Sequence, residues 1–306
     1  MIQYSIIIPQ HNCADLTKRC VLSIPEREDI QVIVVDDNSS KVNELHIVEN
    51  ELNRKNVIFI YTKEGKGAGY ARNVGLSKAE GKWLIFSDAD DFFTPDAFEV
   101  FDRYANSDKD LIYFLPSSVY SDTMQPGLRY DSRNELLKSY TSRPSRNTED
   151  EMKYGDVVPW AKMFRRSLVI EKGQKYDEVP ASNDVTFVSR MAYYSKNIEV
   201  CDKVVYYLTY RRGSITRVVN KTNELSRYKV CLRFNNFLKE IGCKRLHNRI
   251  VSRVLIAYRN FGFKEAMLYV KLAHQHNQSL LTGLIPSYKS IKAKFALWNN
   301  KDAHQG

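Results

Sequence analysis

Residues 71–91 read ARNVGLSKAEGKWLIFSDADD. The apolar run Trp83-Leu84-Ile85-Phe86 has the length of a buried strand, and it stops abruptly at Ser87-Asp88-Ala89-Asp90-Asp91. The segment 70–79 ahead of it predicts a helix. Three carboxylates in four positions repel one another, and Phe86, Phe92 and Phe93 around them make ionisation harder still. The plain reading is a solvated acidic turn leading into the next helix. Against it, the flanking aromatics belong in a core, and buried like charges need a compensating cation. Hard oxygen ligands suit Mg²⁺ or Mn²⁺, and Mg²⁺ commonly takes one or two carboxylates together with phosphate oxygens of a substrate.

Working outward, the same arrangement of apolar run and polar stop recurs. Strands are expected at 5–8 (SIII, closed by Pro9), 31–35 (QVIVV), 57–61 and 111–115. Between them, 16–24 and the face formed by Leu45, Val48 and Leu52 predict helices. Thr94-Pro95-Asp96 is a helix start with Thr94 as N-cap and Pro95 at the first position, running to about residue 105. Continuous apolar strands alternating with helices indicate a parallel sheet covered on both faces. Ligands bind at the carboxyl ends of such strands. Pro9–Asn12, Asp36–Ser40, Lys63–Gly69 and Asp88–Asp91 all fall at those ends, so four strands deliver polar groups to one edge.

Each cluster has a plain reading beside a functional one. Asp36-Asp37-Asn38-Ser39 is an Asx turn closing a strand, or a carboxylate placed for a base or ribose. GKGAGYARN (65–73) contains GxG but neither GxGxxG nor GK[ST], so it meets no dinucleotide or P-loop fingerprint. It does bring flexible backbone and Arg72 to a helix N-terminus, where anions are stabilised. Asn183-Asp184 opens the apolar run VTFVSRMAYY, and Asp184 taken alone reads as an N-cap.

Composition narrows the class. Of 306 residues, 43% are hydrophobic and 27% charged, an ordinary globular balance. Five scattered cysteines without a CxxC pair argue against a disulfide framework or structural zinc and for a reducing compartment. The opening MIQYSIIIPQHN lacks the basic and apolar regions of a secretion leader, and no stretch approaches the length of a membrane span. The net charge of +10 belongs to the tail: from Leu225 onward 15 Lys and Arg face three acids, whereas the residues before it carry 31 basic and 33 acidic side chains. Leu280, Leu281, Leu284, Ile285, Ile291, Phe295 and Trp298 interleave there with Lys289, Lys292 and Lys294. That pattern suits an anionic membrane surface. No nucleic-acid motif is visible, and nucleic acid is not expected as a partner.

In this order and spacing, SIIIPQHN, VVDDNSS, ARNVGLSKAEGKWLIFSDADD, WAKMFRRSLV, SNDVTFVSR and YRRGSIT resemble a family 2 glycosyltransferase with the GT-A fold, of the bacterial type that builds capsule, exopolysaccharide or lipopolysaccharide. The resemblance spans roughly residues 1–218. It implies a Rossmann-like mixed sheet flanked by helices, with the Asp-x-Asp motif holding Mn²⁺ or Mg²⁺ on the diphosphate of a nucleotide sugar, usually a UDP-sugar. By the same resemblance Pro9 and His11 line the base pocket together with Asn12, although family members commonly have Tyr where His11 stands. Asp37 accepts from the uracil, with Ser39, Lys66 and Arg72 nearby. Asp88 and Ala89 lie toward the ribose, Asp90 (with Asp88) is the metal ligand, and Asp91 supports the turn. Asp184 is the general base, and Asn183 replaces the first acid of the family's usual acidic pair. Arg212, Ser214 and Thr216 close over the diphosphate. Trp160, Lys162 and Asn183 are expected on the acceptor side.

The expectation is a GT-A domain over 1–222, with a nucleotide-sugar half (1–115) and an acceptor half (116–222), followed by a basic helical region at 223–306. The expected function is inverting, metal-dependent transfer from a nucleotide sugar to a saccharide or lipid-linked saccharide, in the cytoplasm at the inner face of its membrane. The alternatives are a non-catalytic nucleotide-sugar-binding subunit of an assembly complex and, last, a nucleotidyltransferase. The latter would want a glycine-rich basic loop where PQHN stands.

Overall fold

The computed structural model describes residues 1–127, 131–210 and 220–282. The chain forms two compact units, Met1–Val218 and Val219–Gly306.

The first unit is built on one mixed eight-stranded sheet among the described residues. β1 (Tyr4–Gln10), β2 (Ile30–Asp37), β3 (Val57–Thr62) and β4 (Trp83–Phe86) come first, followed by β5 (Phe92–Phe93), β6 (Leu111–Tyr120), β7 (Lys162–Arg165) and β8 (Ile198–Tyr210). Their order is β3-β2-β1-β4-β7-β6-β8-β5. β3, β2, β1 and β4 are mutually parallel, and β7 enters antiparallel between β4 and β6. After β1 the chain winds outward through β2 and β3, then returns to place β4 on the other side of β1. The crevice at such a reversal is where ligands bind in open α/β sheets.

Side chains alternate between two buried faces. Ile6, Ile8, Val32, Val34 and Ile85 pack with Cys20, Val21, Ile24 and Phe101 on one. Ile7, Ile33, Val35, Leu84 and Phe86 pack with Ala71, Phe187 and Val188 on the other. Burial of each such side chain stabilises by about 1.5–3 kcal/mol, which is why the strands read as uninterrupted apolar runs. Helices α1 (Ala14–Leu22), α2 (Val42–Leu52), α3 (Ala68–Lys78) and α4 (Ala97–Asp102) connect them. They are followed by α5 (Asp131–Ser142), α6 (Arg146–Gly155), α7 (Arg166–Glu171) and α8 (Val185–Tyr194).

Three expectations change. The first strand does not close at Pro9 but runs to Gln10. β4 pairs with β1 only as far as Ile7, so a residue without an N–H beyond that point costs no ladder bond on the β4 side. The fourth helix starts at Ala97 with Asp96 as its N-cap. The Thr94 hydroxyl is engaged instead with Asp96 (2.8 Å) and the Val204 carbonyl (3.1 Å). The stretch 116–182, whose polar sequence predicts irregular structure apart from an ordered segment at 160–170, contains α5 and α6 as well as β7 and α7. α5 and α6 bury little beyond Leu137, Met152 and Tyr154, too few apolar positions to stand out as a periodic face.

The second unit, by itself, is helical among the described residues: α9 (Lys221–Glu240), α10 (Ile250–Phe261) and α11 (Phe263–Gln275). Asn220 caps α9 by accepting from the amides of Thr222 and Asn223. Tyr228 and Tyr269 stack at 4.3 Å within a core that includes Leu232, Ile250 and Ala257. No described helix is long and apolar enough to cross a membrane.

Candidate functional site

At the carboxyl ends of β1 and β4, beside the starts of α3 and α8, lies a cleft of about 770 Å³. Pro9, His11, Asn12 and Arg72 line it together with Asp88, Ala89, Asp90, Asn183 and Asp184. Nine of the sequence-derived candidates therefore share one cavity, drawn from four separated stretches of chain. Arg212, Ser214 and Thr216 lie outside the described residues, as does most of the apolar and basic pattern of the tail.

The acidic triplet is divided among three environments. Asp91 is buried and accepts from the Thr209 amide (2.7 Å) and the Tyr206 hydroxyl (3.2 Å). Burial, and next the charges of Asp90 and Asp88, push its carboxyl well above the usual range. Asp88 accepts from the Arg72 guanidinium at 2.5 Å. Its backbone amide donates to the Tyr206 hydroxyl at 2.9 Å. The Asp90 carbonyl is held by Arg19 (2.6 Å) and by the Thr209 hydroxyl (2.6 Å), which clamps the backbone that carries its side chain. Tyr206 and Thr209 belong to β8 and Arg19 to α1, so the turn is fixed from both sides. These supporting residues carry no motif; Tyr206 and Thr209 are legible only as part of the aromatic strand VVYYLTY.

Asp36 and Asp37, adjacent at the end of β2, point to different tasks. Asp36 is buried and accepts from the Gln10 amide, the Ser39 hydroxyl and the Ser39 backbone N–H. It holds the β1 and β2 ends together. Asp37 accepts from the backbone N–H groups of Lys66 (3.1 Å) and Gly67 (2.6 Å), which pins the glycine-rich turn beside the cleft. Gly67 sits at φ +90°, a conformation open mainly to glycine. The His11 ring is oriented by the Asp37 carbonyl through Nδ1 (2.9 Å) and by the Asn12 amide through Nε2 (2.9 Å). Ser39 accepts from the Asn12 amide through its hydroxyl, so it supports the cleft wall. The Lys66 ammonium lies 4.9 Å from the Tyr70 ring.

Arg72 bridges the two halves of the cleft. Its Nη2 meets Asp88, its Nη1 donates to Asn183 Oδ1 at 2.8 Å, and its guanidinium packs 5.3 Å from the Tyr176 ring. The neighbouring Asn73 donates to the Tyr176 carbonyl (3.0 Å) and accepts from the Tyr176 amide (2.8 Å). An added Cβ at Gly69 would lie 2.1 Å from the Asp177 carbonyl oxygen, so glycine permits α3 to press on this loop. α3 thereby fastens the segment 176–184 to the cleft edge of the sheet.

Asp184 occupies the N-cap position of α8, yet its side chain makes no capping hydrogen bond. Burial raises its carboxyl pKa, opposed chiefly by the Arg72 charge. Ser182, two residues earlier, is left-handed at φ +60°, as are Asn12 and Asn38 around the same cleft. Asn adopts this region readily in turns, whereas Ser182 holds it at a cost of about 1–3 kcal/mol, as residues at ligand clamps do.

Two acceptor-side candidates lie inside the fold. Lys162 is only 1% exposed and its ammonium is engaged by Asp156 at 2.6 Å. Trp160 is also buried, stacked on Tyr206 at 5.7 Å. Both build the wall behind the cleft instead of its surface.

Among the described residues no three acidic, histidine or cysteine side chains converge into a metal cage. The donor set nevertheless fits Mg²⁺ or Mn²⁺ bound with a substrate: two carboxylates, Asp88 and Asp90, on an open cleft large enough for a diphosphate to complete the shell.

The family model described as "Glycosyl transferase family 2" matches residues 5–172. The putative glycosyltransferase EpsH of Bacillus subtilis (strain 168) is 24% identical over 224 residues, 71% of this chain and 63% of that protein. The Escherichia coli protein WfaP, a UDP-Glc:alpha-D-GlcNAc-diphosphoundecaprenol beta-1,3-glucosyltransferase, is 25% identical over 252 residues, 81% of this chain and 89% of that one. The alignment thus spans less than two thirds of EpsH but most of WfaP. Among solved structures, residues 1–349 of Staphylococcus aureus TarS in complex with UDP-GlcNAc superpose with a TM-score of 0.70 at 20% identity, covering 90% of this chain and 80% of that one. The GT-A fold expected from the motifs is the fold found.

Proposed function

The chain belongs to glycosyl transferase family 2, and from that premise we propose that it transfers a sugar from a nucleotide-sugar donor, with UDP as the nucleotide, to a hydroxyl of a saccharide or lipid-linked saccharide in cell-surface polysaccharide synthesis. The observation that carries this reading is the shared cleft of Asp88, Asp90, Arg72 and Asp184. WfaP, named for a diphosphoundecaprenol acceptor, and TarS, solved with UDP-GlcNAc, support the substrate classes.

In this reading the nucleotide lies across the ends of β1 and β2, against Pro9, His11 and Asn12, with Asp37 and the turn at Lys66 beside the base. Asp90 and Asp88 hold Mn²⁺ or Mg²⁺, which when bound neutralises charge developing on the leaving nucleoside diphosphate. Arg72, already beside Asp88, adds a fixed cation at the same place. Arg212, Ser214 and Thr216 close over the diphosphate, and Asn183 faces the acceptor. Asp184 takes the proton of the acceptor hydroxyl as that oxygen attacks the anomeric carbon. With Asp88 and Asp90 assigned to the cation, Asp184 is the one carboxylate lining the cleft that remains on the sugar side, among the described residues. A retaining double displacement wants a second one close by, so transfer inverts the anomeric centre in one step. The enzyme works in the cytoplasm, peripherally at the inner face of the membrane.

The test is UDP release from UDP-sugars with Mn²⁺ and then with excess EDTA. Turnover falling to background in EDTA and returning with Mn²⁺ is the expected result. Undiminished turnover in EDTA would remove the metal from the reading.

A further inference from the structure

The helical unit carries a surface that neither the cleft nor its own core uses. On α10, Ile250 and Ala257 are buried while Leu255 and Tyr258 are 60% and 56% exposed. On α11, Ala266, Tyr269 and Ala273 are buried while Phe263 is 70% and Met267 48% exposed. Phe263 and Met267 are four residues apart and so share a face of α11. The cations Arg259, Lys264 and Lys271 are exposed on the same two helices.

Among the described residues none of these three cations makes an ion pair, whereas Arg253 of α10 meets Glu224 at 3.4 Å. Between residues 241 and 282 the sequence has seven Lys and Arg and one acid, Glu265. That acid is buried and paired with Lys221 at 2.7 Å. An ordinary solvated helix face mixes both signs and few large apolar groups. Exposed aromatic and aliphatic side chains among uncompensated cations are instead the pattern of a helix lying in a bilayer interface: apolar groups enter the acyl boundary while cations meet anionic headgroups. A nucleic acid would use the charge but leave Phe263, Met267 and Leu255 without an apolar partner.

We infer that the exposed side chains of α10 and α11, the apolar Phe263, Met267, Leu255 and Tyr258 with the cations Arg259, Lys264 and Lys271, are a docking surface for an anionic membrane. This deepens the peripheral-membrane part of the proposed function by locating the contact on two folded helices, apart from the sequence pattern at 284–298. It does not depend on the transferase reading, because vesicle binding needs no turnover.

The experiment is co-sedimentation of the full chain with phosphatidylglycerol and with phosphatidylcholine vesicles. Binding to the first and not the second is expected. Lys264→Glu should weaken it about fivefold, and more at low salt. Phe263→Ser with Met267→Ser should weaken it by about tenfold or more. Both variants should keep wild-type helical circular dichroism and wild-type UDP release, since these side chains face solvent. Phe295→Ser with Trp298→Ser in the full chain is the control for the tail. The inference is overturned if the α11 variants bind like wild type while the tail variant does not. Equal binding to neutral vesicles, or binding to RNA in place of vesicles, would also overturn it.

Discussion

At Asp184 a helix start and a cleft compete for one carboxylate, and the cleft has it: the N-cap position is occupied but the side chain makes no capping hydrogen bond. An N-cap whose role were structural would cost about 1 kcal/mol when lost. Asp184→Asn should therefore leave the thermal midpoint nearly unchanged while lowering kcat by roughly 10²–10⁴, measured as UDP release with acceptor. Because burial raises its pKa, Asp184 serves as a base only once the pH exceeds that raised value. kcat/KM should rise with pH through an inflection above the ordinary aspartate value of about 3.9. Asp156 makes the opposite case. It is buried between Lys162 (2.6 Å) and Arg133 (2.8 Å), both of which hold it as an ion-pair partner, and it does not line the cleft. Asp156→Asn leaves the interior ammonium of Lys162 without a counter-charge and should cost about 3–5 kcal/mol, read from urea unfolding. Asp184 and Asp156 look alike in the sequence; burial and partners separate them.

Among the elements, α3 has the widest reach. Its first turn is pinned by Asp37 through Lys66 and Gly67, its Arg72 meets Asp88 and Asn183, and its Asn73 grips Tyr176 at both backbone groups. Gly69→Ala would drive a methyl into the Asp177 carbonyl and displace the loop that leads to Asp184. We expect a stability loss of about 1–3 kcal/mol and a fall in kcat larger than the rise in KM for the donor, separable by steady-state kinetics at saturating UDP-sugar. The helix and its ARN segment were visible in the sequence, as was Arg72. The contact with 176–184 was not, because the partners lie about a hundred residues apart and Tyr176 sits in a stretch with no periodicity. The same limit hid α5 and α6, whose faces are nearly all polar.

Over the whole molecule, the proposed function requires the acidic triplet and the cleft that its Asp88 and Asp90 line to act as one site. Mn²⁺ and UDP together should raise the melting temperature by more than the sum of their separate effects. A ligand at a hundredfold its Kd contributes about 2.7 kcal/mol to the folded state. Strict additivity in a thermal-shift titration would mean that the triplet and the nucleotide do not share a cation. Apolar runs of four to eight residues stopping at polar clusters were enough to declare a covered α/β sheet with a loaded edge, since strand burial and chain direction are local consequences of side-chain pattern. Motif order extended this to the family and to most of the cleft. The tertiary structure alone decided which acids face the cleft and which are buried supports, that Lys162 and Trp160 lie inside the fold, and that Phe263 and Met267 stand exposed beside cations with no ion pair among the described residues. Those distinctions depend on desolvation and on partners distant in the chain, and a linear pattern carries neither.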